Sequence, residues 1–360
     1  MLLLGDIASP DKSYSEQLNE QLCRFQGIFS GQPMVCNLEG LVCDIAPKTV
    51  NTPVLYNHSS VIPVLMRHGC RAVCLSNNHS LDMPGLFDET RSILDTYGIK
   101  LAGAGKSRVD AAKPAEFHQG DMEILLFNST WHVLLQHRKN PTNGVYINTI
   151  NEDRLIREVS HCRGRKKDAI IIIYLHWNFD LETLPFPVHR IFARSLIDNG
   201  ADLVVGSHSH CVQGGERYKN GYIVYGLGNF FMPWNTYING TIRFPELARI
   251  EMVFEWDPDT RLARAHFFKY ENDKDNHRLE LIESHDFDDS PLLKKYSPYQ
   301  ELTEKDYLTF FKKNRRKKLF VPVFVSYNNN FVTYLQSIFT IWRIRLARLF
   351  AKLKLRDWNN

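Results

Sequence analysis

The run Ile170-Ile171-Ile172-Ile173-Tyr174-Leu175 is apolar or aromatic at every position, β-branched at four in succession, and stops at His176. A strand apolar on both faces must be covered on both faces, which a one-sided antiparallel sheet cannot do. Shorter versions of the pattern recur at Leu2–Leu4, Met34–Cys36, Ala72–Leu75, Ile124–Phe127, Leu203–Val205 and Tyr222–Leu227. Between them apolar residues recur at helical spacing over 13–29, 59–68, 86–97, 152–162 and 189–199. This alternation predicts a layered α/β core rather than an all-helical or all-β one. Two amphipathic stretches, 248–256 and 263–270, predict a hairpin across Asp257-Pro258-Asp259-Thr260 that completes the core near residue 285.

Each apolar strand ends in residues that bind metals or move protons. Asp6 follows the first, Glu39 the second, Asn78 and His79 the third, His176 the run of isoleucines, and His208 and His210 the stretch "LVVGS". Taken singly, Asp6 and Glu39 read as turn or cap residues and His176 as a core histidine; the recurrence is what points to a site at the strand ends. A His-x-His step on extended backbone puts both imidazoles on one side. With the carboxylates and an amide oxygen they make a mixed N/O donor set suited to Mn, Fe, Zn or Mg. Two such ions about 4 Å apart activate water and clamp a phosphoryl group.

The segments "GD" (5–6), "NLEG" (37–40), "NNHSLD" (77–82), "LHWN" (175–178), "GSHSH" (206–210) and "YGLGNFF" (225–231) occur in this order. Through them the chain resembles the capsule-synthesis CapA family, the poly-gamma-glutamate capsule type of the calcineurin-like metallophosphoesterase superfamily. The resemblance implies a four-layer α/β/β/α sandwich and a phosphoester hydrolase binding two divalent ions. It implies that Asp6, His176, His208, His210 and Asn78 are ligands, that Glu39 is the bridging carboxylate, and that His79 serves the leaving group without binding metal. Asn77 and Asp82 are expected as turn and cap residues, and Trp177 and Asn229 as substrate contacts. "YGLGNFF" has two readings: Gly228-Asn229 approach the substrate or support the metal loop by backbone contacts, or the glycines only shape a tight turn between strand and loop. Ala8 stands where the superfamily often has a histidine, and "HWNFD" departs from the family's "HWG.E". These departures keep open a non-catalytic accessory role in polymer assembly.

A metallophosphoesterase-like domain is expected over 1–285 and an extension over 286–360. From Lys312 to Asn360 there are twelve Lys and Arg against one acid, so residues 312–360 carry +11 and residues 1–311 carry −7 of a net +4. Its apolar residues from Phe331 to Leu353 recur on one helical face, shorter than a bilayer span requires. Two readings stand: a helix on an anionic membrane surface, or one docked on the acidic body. The acidic body and the separation of aromatic from basic residues argue against nucleic acid. The expected substrate is a phosphorylated or lipid-linked saccharide or capsule polymer precursor. Seven cysteines without a Cys-x-x-Cys pair read as reduced thiols, and the opening "MLLLGD" is too short for a signal peptide. A cytoplasmic location, peripheral on the inner face of the membrane, is expected.

Overall fold

Strand β1 (Leu2–Ile7) shows how the chain is layered. Leu2 and Leu4 join one apolar cluster and Leu3 another, as strand alternation requires. The computed structural model describes residues 1–45, 54–135, 143–233, 244–273, 276–316, 322–326 and 330–352. Beside β1 run β2 (Met34–Leu38), β3 (Cys70–Cys74) and β4 (Lys100–Ala102), all parallel. The second sheet is built on β5 (Ala115–Gln119), β6 (Met122–Thr130), β7 (Ile170–His176), β8 (Leu203–Ser207), β9 (Val212–Tyr218) and β10 (Gly221–Leu227), in the order β9-β10-β8-β7-β6-β5. β11 (Asn229–Phe231) leaves that sheet and pairs with β1 in the first. The first sheet is extended by three antiparallel strands, β12 (Ile250–Trp256), β13 (Ala263–Asp273) and β14 (Asn276–Asp286), the last of which extends the expected hairpin.

The isoleucine run explains the packing. Ile170, Ile172 and Tyr174 meet Leu3, Val35, Ala72 and Cys74 between the two sheets, while Ile171, Ile173 and Leu175 face outward. The outward side is covered by α4 (Glu152–Arg165), α5 (Pro187–Asp198) and α7 (Glu304–Asn314). The outer side of the first sheet is covered by α1 (Lys12–Arg24), α2 (Val61–Arg67) and α3 (Phe87–Thr96). Each aliphatic side chain so buried contributes roughly 1.5–3 kcal/mol. The α/β class read from the alternation is the class observed. The stretch read as one helix over 13–29 is interrupted at Phe25.

Beyond residue 285 the chain still adds to the core. Leu293 of α6 (Pro291–Tyr296) packs into the cluster between the sheets, and Tyr299, Tyr307, Phe311 and Phe324 pack with α5. Arg190, fully buried on α5, lies over the rings of Tyr299 and Tyr307 and donates to the carbonyls of Gln300 and Leu302. The last described element is α8 (Asn330–Lys352). Lys317 and Lys318 of the basic run, and 353–360, lie outside the described residues. Among the described residues no helix is long and apolar enough to cross a membrane.

The passage of the chain from one sheet to the other is made at Gly228, which has φ +79°. Its carbonyl accepts from Asp6 N at 3.3 Å, and a Cβ placed on Gly5 would lie 2.0 Å from that oxygen. "YGLGNFF" is therefore a backbone support that no larger residue at position 5 permits. Gly5→Ala is expected to destabilise the fold by about 3 kcal/mol, read as a lower urea midpoint with an unchanged slope.

A second test concerns the cross-strand pair Glu255 and His266. Glu255 meets His266 Nε2 at 2.8 Å and accepts from Gln32 Nε2 at 2.5 Å. The bond to His266, with help from Gln32, holds its carboxyl down to about 2. Because the folded carboxyl titrates below the unfolded one, the pair stabilises fully above pH 4.5 and is lost as the pH falls through about 2. Glu255→Gln should cost about 1–2 kcal/mol at neutral pH and progressively less in acid, measured by urea unfolding across pH.

Candidate metal centre

The carboxyl ends of the parallel strands in both sheets converge on one buried cleft. In β1 a shift of register between Leu4 and Asp6 breaks the alternation, so Asp6 turns toward the second sheet while Ile7 faces the outer helices. Asp6 is fully buried; Asn37 Nδ2 donates to its Oδ1 at 2.8 Å, the amide of His208 approaches its Oδ2 at 3.3 Å, and His210 Nδ1 lies 3.6 Å from Oδ2. Glu39 follows β2, is equally buried, and has Oε1 3.6 Å from His176 Nε2. Asn78 follows β3 and its Oδ1 lies 2.7 Å from the same nitrogen, whose ring is held on its other side by Ser207 Oγ at 3.0 Å.

His208 and His210 reach the cleft by a route the sequence reading did not foresee. They lie beyond the end of β8, and both have left-handed backbone, φ +89° and +56°. A tight turn, rather than strand alternation, directs the two rings, at a cost of about 1–3 kcal/mol each. His208 packs 4.6 Å from His176 between centroids and pairs with Asp180 Oδ1 at 3.2 Å. His210 Nδ1 meets Asn229 Oδ1 at 2.8 Å, so Asn229, expected as a substrate contact, touches a ligand candidate. Asn229 is opposite Asp6 in the β1–β11 register, which places it there.

Trp177 does not reach the cleft. One residue beyond His176, it points to the opposite face, is fully buried against His189 with ring centroids 4.3 Å apart, and donates Nε1 to Tyr225 O at 2.9 Å. Strand alternation excludes it from substrate contact.

The loop carrying Asn78 and His79 is fixed by buried amides. Asn77 Nδ2 donates to Leu38 O, and its Oδ1 accepts from His79 N and Ser80 Oγ. From the other sheet Asn128 Oδ1 accepts from Ser76 N at 2.6 Å. Asp82, expected as a cap, has a larger part: its Oδ2 lies 2.7 Å from His79 Nδ1 and accepts from Leu55 N at 2.9 Å. The side chain of His79 is 13% exposed and that of Asp82 fully buried, so the imidazole reaches solvent while its orienting carboxylate does not.

Donor atoms of Asp6, Glu39 and His176 lie within 4.8 Å of one another, and so do those of Glu39, His208 and His210, with Glu39 common to both sets. Burial pushes the Asp6 carboxyl above its ordinary value, opposed by His210 and Asn37. Burial, with His208, His210 and His79 nearby, pushes His176 well below its ordinary value, so the imidazole is neutral and able to ligate. Two buried carboxylates facing three imidazoles are costly in a dry cleft and suit a divalent cation of borderline or hard character. The residues present therefore fit such ions.

A profile of the family described as bacterial capsule synthesis protein PGA_cap matches residues 6–233. The chain belongs to this family. All the residues of the cleft named here lie in the matched span, and the family is the one the ordered motifs resemble. A capsule biosynthesis protein CapA of Bacillus anthracis is 34% identical over 84 residues, 23% of this chain and 20% of that protein. The PGA biosynthesis protein CapA of Bacillus subtilis is 29% identical over 160 residues, 43% of this chain and 40% of that one. A Mycobacterium tuberculosis protein named "Probable polyglutamine synthesis accessory protein" is 28% identical over 212 residues, 54% of this chain and 53% of that one. The PGA_cap chain thus spans about half, or less, of these relatives. Among solved structures a Mycoplasma pneumoniae phosphatase aligns at 12% identity over 82% of this chain and 95% of its own, with a TM-score of 0.41. The NAD nucleotidase of Haemophilus influenzae aligns at 10% over 79% and 49%, also at 0.41. At such scores the likeness decides nothing about the site.

For the PGA_cap centre, Asn37→Ala should weaken divalent-metal binding roughly 10–100-fold by releasing Asp6, and His208→Ala should weaken it further. Titration calorimetry with Mn on the metal-stripped protein reads both.

Proposed function

We propose that this chain is a metal-dependent phosphoester hydrolase working in capsule or polyglutamate synthesis. The observation that carries the reading is the meeting of six donor side chains from two sheets beside a partly exposed His79 oriented by Asp82. Asp6, Glu39, Asn78, His176, His208 and His210 would hold two divalent ions, which when bound supply Lewis acidity toward a phosphoryl oxygen.

The chain's own residues account for the rest. Asp82 fixes Nδ1 of His79, which assigns proton transfer to Nε2. His79 then donates a proton to the departing oxygen of the ester. Burial of Asp6, Glu39 and His176 keeps bulk water from the donors, and Ser207 and Asn229 hold the rings of His176 and His210. The proposed substrate is a phosphorylated or lipid-linked saccharide or a capsule polymer precursor.

A second reading is a non-catalytic accessory protein whose metal is structural. Ala8 favours it: the position is fully buried among Leu55 and Met232, so no ligand is offered there. The two readings separate on turnover. Under the hydrolase reading, the Mn-loaded protein cleaves aryl phosphomonoesters or diesters, and His79→Gln lowers kcat roughly 100- to 10,000-fold without altering metal content. Metal retained with no turnover on either ester class, or on lipid-linked sugar phosphates, would establish the accessory reading instead.

A further inference from the structure

Helix α8 turns two polar side chains inward. Gln336 and Ser337 are 0% and 6% exposed, and Gln336 Nε2 donates to Pro322 O at 2.6 Å. Phe331, Tyr334, Trp342, Leu346 and Leu349 are 69, 62, 58, 47 and 49% exposed. At 3.6 residues per turn these five fall within an arc of roughly 120°, with the exposed Arg345 among them. Single exposed apolar side chains are ordinary, whereas a continuous stripe this long marks a surface that is covered in use.

The charge of the segment says by what. Twelve Lys and Arg against one acid from Lys312 to Asn360 repel a second copy of the same tail and attract an anionic surface. Among the described residues no helix is long and apolar enough to span a bilayer, so an apolar stripe that includes Arg345, on a segment of basic sequence, suits the headgroup region, lying in the plane. We infer that α8 is a membrane-docking helix that lays this stripe into the surface of an anionic phospholipid bilayer.

Its placement bears on the metal centre. α8 rests on the short turn His132–Leu135, which follows the end of β6. Thr130 at that end is in register with His176, so the docking helix stands at the same end of the sheet as the donors. A docked chain would meet substrate presented at the lipid surface. The docking itself does not depend on whether the centre is catalytic.

The test is flotation of the full chain with phosphatidylcholine vesicles, with and without phosphatidylglycerol. The chain should float with the anionic vesicles, remain largely behind with the neutral ones, and be released by salt. Trp342→Glu/Leu346→Glu/Leu349→Glu should cut flotation at least about 10-fold. As all three side chains are exposed, its thermal unfolding and metal content should match the parent. Absence of flotation, flotation unaffected by the triple substitution, or binding indifferent to both lipid charge and salt would overturn the proposal. So would an oligomer in solution that the triple variant dissolves while lipid binding is absent, which would make a second copy the occupant.

Discussion

The contact between the Gly5 backbone and the Gly228 carbonyl sets the position of everything in the cleft. It lets a strand of the second sheet cross over and pair with the first, and this crossing draws the carboxyl ends of both sheets together. Asp6 and Asn229 become register partners, and Asn229 in turn meets His210 from the end of β8. Tyr174 adds a parallel tie, donating its hydroxyl from β7 to Leu4 O of β1 at 2.7 Å. Without these ties the donors, which come from two sheets, would not be held together.

Once gathered, the donors resist burial. Asp6 and Glu39 are carboxylates inside the fold, and His176 is shifted toward its neutral form by the same burial. Amides offset part of the cost: Asn37 holds Asp6, Asn77 and Asn128 hold the loop of Asn78 and His79. A cation among two carboxylates and three imidazoles would remove most of the remainder, which is why the arrangement reads as a binding site rather than a satisfied core.

Much of this was legible in the sequence because it depends on local period. Continuous apolar strands imply two covered faces, and polar residues at their ends imply a shared cleft; Asp6, Glu39, Asn78, His176, His208 and His210 follow from that. What was not legible depends on partners distant in the chain or on backbone that breaks the period. Asp82 reads as a cap until its bond to His79 is seen, and Asn128 is only a strand end until it meets Ser76. His208 and His210 converge through left-handed turns, and Asp6 through a shift of register, neither of which alternation foretells. Trp177 shows the opposite case, where alternation alone would have removed it from the substrate contacts. For α8 the spacing defines an apolar face but not which side is turned to the body.

The account stands on one claim, that the ends of two sheets form a single cation site. Anomalous diffraction from a crystal of the full chain grown with Mn tests it directly. The account predicts anomalous density within bonding distance of Asp6, Glu39, Asn78, His176, His208 and His210, with Glu39 contacting each ion present. Density elsewhere on the surface with none among these residues would contradict it.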